Sequence, residues 1–253
     1  MIIYIIILAV VQGLTEFLPV SSSGHLVLLN HLFGIQNDFL LFSIILHVAT
    51  LLSVLVYFWN DVQKIIKQPF GKTGRLIILS CVPTVVIAFV IKGMFGQVLD
   101  GKFLPFCFMI TAFIIVITEN CIKKYGRKPI GTKIAFLMGL MQGVAVIPGI
   151  SRSGATICAG ASVGGERKEV TKFSFFMSIP IIFGSLLFEV HEYVVAGMSI
   201  CFSWFEIMIG FIISFLVGIF AIKFLLKIVQ RSFIPFAIYL IFISAVSLIV
   251  INK

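Results

Sequence analysis

Four side chains able to do chemistry lie in two short polar stretches of an otherwise apolar chain. The first stretch, residues 12–26, ends in FLPVSSSGHL and supplies Glu16, Ser22 and His25. The second, residues 142–156, supplies Arg152. A charge at bilayer depth costs at least about 2.5–3.5 kcal/mol and usually marks a functional site. Ser22 activated by His25 would act as a nucleophile, and the alternative is that His25 itself is the nucleophile or the acid/base. The residue types predict catalysis, because a bare ion pair would not need so many hydroxyls around it.

The chemistry that suits these stretches is the binding of a phosphate or a diphosphate. Helix N-termini, exposed backbone amides and a forked guanidinium all bind such anions. We expect the substrate-binding groups to be Gln12, Ser21, Ser23, Gly24, Ser151, Ser153, Gly154 and Thr156. Glu16 is the only carboxylate in the two stretches. Because magnesium often binds through one or two carboxylates and substrate phosphates, Glu16 is the candidate metal ligand.

The composition places these groups in an all-α polytopic membrane protein. Of the 253 residues, 60% are hydrophobic and 11% are charged, whereas soluble domains are about a quarter charged. Apolar runs of about 20 residues follow one another, each long enough to cross the hydrocarbon core. These runs are continuous rather than alternating, which excludes a transmembrane barrel.

Six segments are predicted to cross the membrane, and two are predicted to enter it and return. The crossings are expected at about 39–59, 76–96, 103–122, 169–189, 204–226 and 233–251. Residues 2–33 and 134–163 are instead each broken by proline, glycine and serines. Such a break at membrane depth is tolerated only when it is buried in protein or faces water. Re-entrant helical hairpins satisfy this condition.

The basic residues favour the same count of crossings. With residues 34–38 outside, the outer side keeps Lys92, Lys102 and Lys253, and Arg152 lies in the second break. Inner segments hold the remaining fifteen: Lys64, Lys67, Lys72, Arg75, Lys123, Lys124, Arg127, Lys128, Lys133, Arg167, Lys168, Lys172, Lys223, Lys227 and Arg231. A bias of this size fits the positive-inside rule and predicts that both termini lie outside. It also explains the net charge of +9 without a nucleic-acid partner.

The two breaks resemble each other, which predicts an internal repeat within a single membrane domain, residues 1–253. Residues 12–24 read QGLTEFLPVSSSG and residues 142–154 read QGVAVIPGISRSG, and LFSII at 41–45 aligns with KFSFF at 172–176. We expect one repeat at about 1–122 and the other at about 132–253. Each would hold a hairpin and three crossings, so the second copy enters from the opposite face. Broken helices of inverted repeats place their tips near the midplane, and the two tips should therefore meet.

The same residues resemble a known family, the bacterial undecaprenyl-diphosphate phosphatases of the bacitracin-resistance type, over nearly the full length. The motifs are (Glu/Gln)-x-x-x-Glu, here Gln12 and Glu16, then SSSGH ending at His25, and PGxSRSxxT from Pro148 to Thr156. Many members carry glutamate where this chain has Gln12, which puts a two-carboxylate metal site in question.

The resemblance implies a fold, an activity and a location. The fold would be six crossings and two re-entrant hairpins as inverted repeats, often as a homodimer. The activity would be hydrolysis of undecaprenyl diphosphate to undecaprenyl phosphate and phosphate, with Mg²⁺ or Ca²⁺, at a site open to the outer face of the bacterial plasma membrane. Such enzymes recycle the lipid carrier for peptidoglycan synthesis, and larger amounts confer bacitracin resistance.

A second function class, a polyprenyl-phosphate flippase or secondary transporter, shares the inverted-repeat architecture. It would bind phosphate in the same chamber without cleaving it. A purely structural scaffold does not explain two matched polar breaks. Elsewhere in the chain, structural roles are expected for the isolated ionisable residues His31, His47, Glu119, Glu189 and Glu206.

Overall fold

A computed structural model describes residues 2–33, 39–94, 101–122, 128–195 and 202–251. Within these ranges every regular element is a helix, apart from one isolated bridge between Lys128 and Gly165. The predicted outer loop at 34–38 lies outside the described residues, as do Lys123, Lys124, Arg127 and Lys253. The all-α fold class predicted from the composition is confirmed.

The two broken segments form the two predicted hairpins. The first pairs α1 (Ile2–Thr15) with α2 (Ser22–Phe33), and the second pairs α7 (Thr132–Val144) with α8 (Arg152–Ser162). These helices have 14, 12, 13 and 11 residues. At 1.5 Å per residue they are about 17–21 Å long, which is too short to cross a roughly 30 Å hydrocarbon core. Each therefore has to turn back inside the membrane.

The six predicted crossings are present as longer helices. They are α3 (Phe39–Tyr57), α5 (Lys72–Met94), α6 (Leu104–Ile122), α9 (Arg167–Val195), α10 (Trp204–Ile228) and α11 (Ile234–Ile251). Five are long and apolar enough to span a membrane by themselves, and α3 qualifies together with the short helix α4 (Trp59–Lys67), from which it bends by 85°. Helix α9 is longer than its predicted span of 169–189, since it begins two residues earlier and continues to Val195.

The segments predicted to be inner meet at one end of the helix bundle. Lys172, near the start of α9, forms an ion pair of 2.9 Å with Asp61 of α4. Arg167 at the start of α9 lies 2.7 Å from Glu119 near the end of α6. At the other end, Lys92 of α5 pairs with Glu192 of α9 at 3.2 Å. Helices α3, α5, α6 and α9 therefore alternate in direction, as the charge pattern predicts.

Equivalent helices of the two predicted repeats make equivalent contacts. Helix α1 packs on α10, and α7 packs on α5. In both pairs a glycine lets the backbones approach closely: a Cβ atom on Gly13 would lie 2.9 Å from the Ser214 carbonyl oxygen, and one on Gly143 would lie 2.9 Å from that of Thr84. Small residues permit such packing in membranes. The repeat boundaries themselves stay a prediction.

Candidate active site

The tip of the first hairpin is shaped by Ser21, the residue just before α2. Its φ of 68° lies in the left-handed region, which is uncommon for a residue with a Cβ atom. Its hydroxyl accepts a hydrogen bond from the Gly24 amide at 3.3 Å, as a helix N-cap does. Because of this sharp turn, Glu16 lies in the segment between α1 and α2, and Ser22 is the first residue of α2.

The tip of the second hairpin has the same local design. Ser151 is the N-cap of α8, and its hydroxyl accepts from the Gly154 amide at 3.1 Å. Gly149 precedes it with a φ of 93°, and a Cβ there would lie only 2.6 Å from the Cys107 Cβ. Only glycine fits this position. The turn makes Arg152 the first residue of α8.

The two tips touch each other inside the bundle, as the repeat predicts. The Ser153 hydroxyl donates a hydrogen bond of 2.8 Å to the Leu18 carbonyl oxygen of the other tip. A Cβ atom on Gly24 would lie 3.0 Å from the Gly149 Cα atom. The N-termini of α2 and α8 are therefore brought to one place.

Glu16 is the centre of the polar contacts between the tips. Its Oε1 atom is paired with the Arg152 guanidinium, and its Oε2 atom accepts from the Ser22 hydroxyl at 2.6 Å and from Gln12 Nε2 at 3.0 Å. The exposed fraction of the Glu16 side chain is 4% and that of Arg152 is 19%. A buried carboxylate needs such partners, because an unpaired buried charge is strongly unfavourable. Three of the four predicted catalytic residues are thus in direct contact.

A cavity of about 230 Å³ opens beside these groups. It has an apolar wall that includes Ile150, Ile181 and Ile182. Of the predicted site residues it is lined by Glu16, Ser21, Ser22, Ser23, Ser151 and Arg152. A larger cavity of about 560 Å³ lies at the basic end of the bundle, and its lining contains none of the predicted site residues. The smaller cavity is therefore the candidate active site.

The other predicted binding residues lie next to the cavity-lining residues but do not line the cavity themselves. Gln12 is fully buried and holds Glu16, while the Thr156 hydroxyl lies 2.6 Å from that of Ser174 and joins α8 to α9. The residues in this supporting position are Gln12, Gly24, Ser153, Gly154 and Thr156, none of which is among the cavity-lining residues. In this structure they hold the hairpin tips in place, and their direct contact with a substrate stays a prediction.

His25 does not contact Ser22 in the way that a serine nucleophile and its base would. Its Nδ1 atom lies 2.7 Å from the Ser21 carbonyl oxygen and its Nε2 atom 2.7 Å from the Tyr239 hydroxyl. The imidazole stacks on the Tyr239 ring, with centroids 5.6 Å apart and planes inclined by 4°. The Ser22 hydroxyl instead donates to Glu16. The side chain that could take a proton from Ser22 is therefore Glu16.

Two residues that the sequence suggested were structural lie in the cavity lining, His47 of α3 and Glu189 of α9. His47 Nε2 is 3.8 Å from Glu16 Oε2. The signal that could have found them is their charge or polarity within apolar crossings, since ionisable groups at membrane depth usually face a functional cavity. Which face of α3 meets the hairpin tips was not evident from the sequence.

The donor atoms around Glu16 leave few positions for a divalent cation in the part of the chain that the structure describes. No group of three His, Cys, Asp or Glu side chains suited to a metal occurs among the described residues. A carboxylate has about four lone-pair sites, and Arg152, Ser22 and Gln12 already use three of those on Glu16. The positive charge of Arg152 already pairs with one oxygen of this carboxylate. Any cation would need most of its ligands from the substrate.

The fold and the site together define a class of protein. It is an integral-membrane helical protein in which two re-entrant hairpins bring an arginine, a carboxylate, serine hydroxyls and two helix N-termini to one buried cavity. These groups suit a phosphorylated ligand, and the apolar wall suits an alkyl chain attached to it.

Comparisons with known proteins give the family. The family described as Bacitracin resistance protein BacA matches residues 5–246, and the chain belongs to this family. A protein of Carboxydothermus hydrogenoformans named undecaprenyl-diphosphatase is 38% identical, with 98% of this chain and 96% of that protein covered. A protein of the same name from Halothermothrix orenii is 37% identical with the same coverage. Another from Borrelia hermsii is 38% identical with 94% of each chain covered.

Proposed function

We propose that the chain is an integral-membrane phosphatase that hydrolyses undecaprenyl diphosphate to undecaprenyl phosphate and inorganic phosphate. The observation that carries this proposal is the contact of Glu16, Ser22 and Arg152 in one cavity built from both hairpins. The names of the relatives support the substrate, since they cover nearly the whole chain. The protein would act in the bacterial plasma membrane, where it returns the lipid carrier to cell-wall synthesis.

Arg152 is the main group for charge stabilisation. Phosphoryl transfer depends mostly on positioning and on neutralising the charge of the phosphoryl oxygens. One guanidinium nitrogen pairs with Glu16, and the guanidinium, which has five N–H donors in all, lines the cavity. The N-termini of α2 and α8 add their partial positive charge from two directions.

The apolar wall gives the lipid its place. The side chains of Val146, Ile150, Ile181 and Ile182 line the same cavity as the polar groups. The diphosphate would lie at the hairpin tips while the first isoprenoid units lie against this wall. Mg²⁺ or Ca²⁺ would enter with the diphosphate oxygens, because Glu16 keeps only one free lone-pair site. A bound cation supplies additional positive charge to the phosphoryl oxygens. Assembly as a homodimer stays a prediction.

The test is the release of inorganic phosphate from undecaprenyl diphosphate by the purified protein in detergent. We expect release by the wild type, a loss of several orders of magnitude in Arg152→Ala, and no loss in Arg75→Ala, which changes an exposed arginine of α5. Adding a chelator tests the cation. A flippase or transporter, which the relatives' names do not favour, would release no phosphate, and that result from the wild type would contradict the proposal.

A further inference from the structure

His47 has the position expected of a residue that acts on the reacting groups, although no motif drew attention to it. It lies on α3, its side chain is 23% exposed, and its ring lines the cavity between the hairpin tips and α9. Its Nε2 atom faces Glu16 Oε2 at 3.8 Å. Among the described residues it is the histidine that lines this cavity.

The hydrogen bonds of His47 fix which nitrogen carries the hydrogen. The Nδ1 atom lies 2.8 Å from the Ser43 carbonyl oxygen, one helical turn earlier. A carbonyl oxygen only accepts, so Nδ1 must donate. In the neutral imidazole the other nitrogen is then an acceptor. When the ring is neutral, Nε2 therefore presents a lone pair to a carboxylate oxygen that is itself an acceptor.

Two acceptors 3.8 Å apart do not bond to each other, but a molecule with two donor hydrogens can bond to both. Water is such a molecule. With hydrogen bonds of about 2.8 Å, its oxygen lies off the line between Nε2 and Oε2, which leaves its own lone pairs directed away from both acceptors. Oε2 already accepts from Ser22 and Gln12, so the water is its third donor, attracted by the negative charge of the carboxylate. The other oxygen of Glu16 is paired with Arg152, so one carboxylate would hold the water close to the group that binds the phosphoryl oxygens.

We propose that His47 and Glu16 together hold the attacking water of the phosphatase reaction. The water oxygen bonds to the terminal phosphorus, and the bond from that phosphorus to the bridging oxygen breaks, with its electron pair left on the lipid phosphate. Both hydrogens of the water leave on the inorganic phosphate. In this route Ser22 orients Glu16 through its hydrogen bond and is not phosphorylated. The inference rests on the proposed function.

The test compares two amides of different length at position 47. Glutamine places its oxygen near the former Nε2 position, whereas asparagine reaches only the former Nδ1 position. We expect His47→Asn to lower kcat for phosphate release by about 100-fold, as misplacement of a reactant by about 1 Å does, with KM within about twofold. We expect His47→Gln to recover most of the kcat. His31→Asn is the matched control, because the exposed His31 makes the same type of bond, from Nδ1 to the Val27 carbonyl oxygen at 3.1 Å.

Each outcome decides the proposal. Equal kcat values for the asparagine and glutamine variants would overturn it, and so would a phosphoserine at Ser22 trapped during turnover. A raised KM with unchanged kcat would also overturn it, because His47 would then bind the diphosphate. If His47→Asn does not fold, as judged by size exclusion and thermal unfolding, His47→Met takes its place as a variant of similar length with only a weak acceptor. A wild type that releases no phosphate would instead show that the proposed function has failed.

Discussion

Replacing Arg152 by methionine tests the buried ion pair that joins the two hairpins. Methionine keeps the length and the flexibility of the side chain but removes the charge and the hydrogen bond to Glu16. In the wild type the Glu16 side chain is only 4% exposed, so bulk water is not expected to replace the lost charge. The variant should therefore be less stable as well as inactive.

The size of the effect follows from what Glu16 keeps. Removing one partner of a buried pair costs about 3–5 kcal/mol. Ser22 and Gln12 still donate to Glu16, so we expect a value near the lower end, about 3 kcal/mol. In the double variant Arg152→Met with Glu16→Gln no charge remains, and the amide oxygen still accepts from Ser22. Most of the lost stability should return, while the loss of activity, about 10³-fold or more, should remain.

The assay is thermal unfolding in detergent, with phosphate release measured on the same samples of the wild type, both single variants and the double variant. Arg75→Met controls for the loss of an arginine, since Arg75 is exposed. A double variant no more stable than Arg152→Met would refute the idea that an uncompensated charge causes the loss. Activity of the double variant within tenfold of the wild type would refute the role of Arg152.

Two further predictions concern the packing of the first hairpin tip. Gly24→Ala should lower the unfolding temperature and phosphate release together, because its Cβ would lie 2.7 Å from the Phe108 ring. Gly184→Ala is the control and should change neither, because its Cβ meets open space. Equal behaviour of the two variants would show that the hairpin tip can move to accept the methyl group. Tyr239→Phe removes the hydroxyl that bonds to His25 Nε2 and should lower the free energy of unfolding by about 1–3 kcal/mol, measured by thermal unfolding, with activity within about threefold. A large fall in kcat without loss of stability would instead place His25 in the chemistry.

The hairpins could be predicted from the sequence because their cause is local. A cluster of proline, glycine and three serines interrupts an apolar crossing. At membrane depth such a break is tolerated only when it is buried in protein or faces water. The contact between the tips followed from the matched stretches at 12–24 and 142–154. The sequence pattern does not predict the helix α4 (Trp59–Lys67), because Lys64 and Lys67 indicate only an inner segment. It is bent by 85° from α3 at the point where that membrane crossing ends.

The orientation of individual side chains could not be predicted in the same way. His25 and Ser22 are three residues apart, which places them near each other on a helix. The His25 ring nevertheless turns toward Tyr239, which is 214 residues away in the sequence. His47 shows the converse: its position in the cavity depends on how α3 packs, and no spacing within α3 contains that information. Tertiary contacts therefore determine the orientation of His25 and the position of His47.

The inverted arrangement itself contributes to the chemistry. The charges of Glu16 and Arg152 offset each other, so the pair alone gives little net attraction for a diphosphate. Ser22 and Arg152 are the first residues of α2 and α8, and each helix N-terminus carries roughly half a positive charge. One hairpin could supply only one such terminus. Two hairpins that enter from opposite sides bring two together at one point, and their combined field would favour an anion there even though the ion pair is neutral.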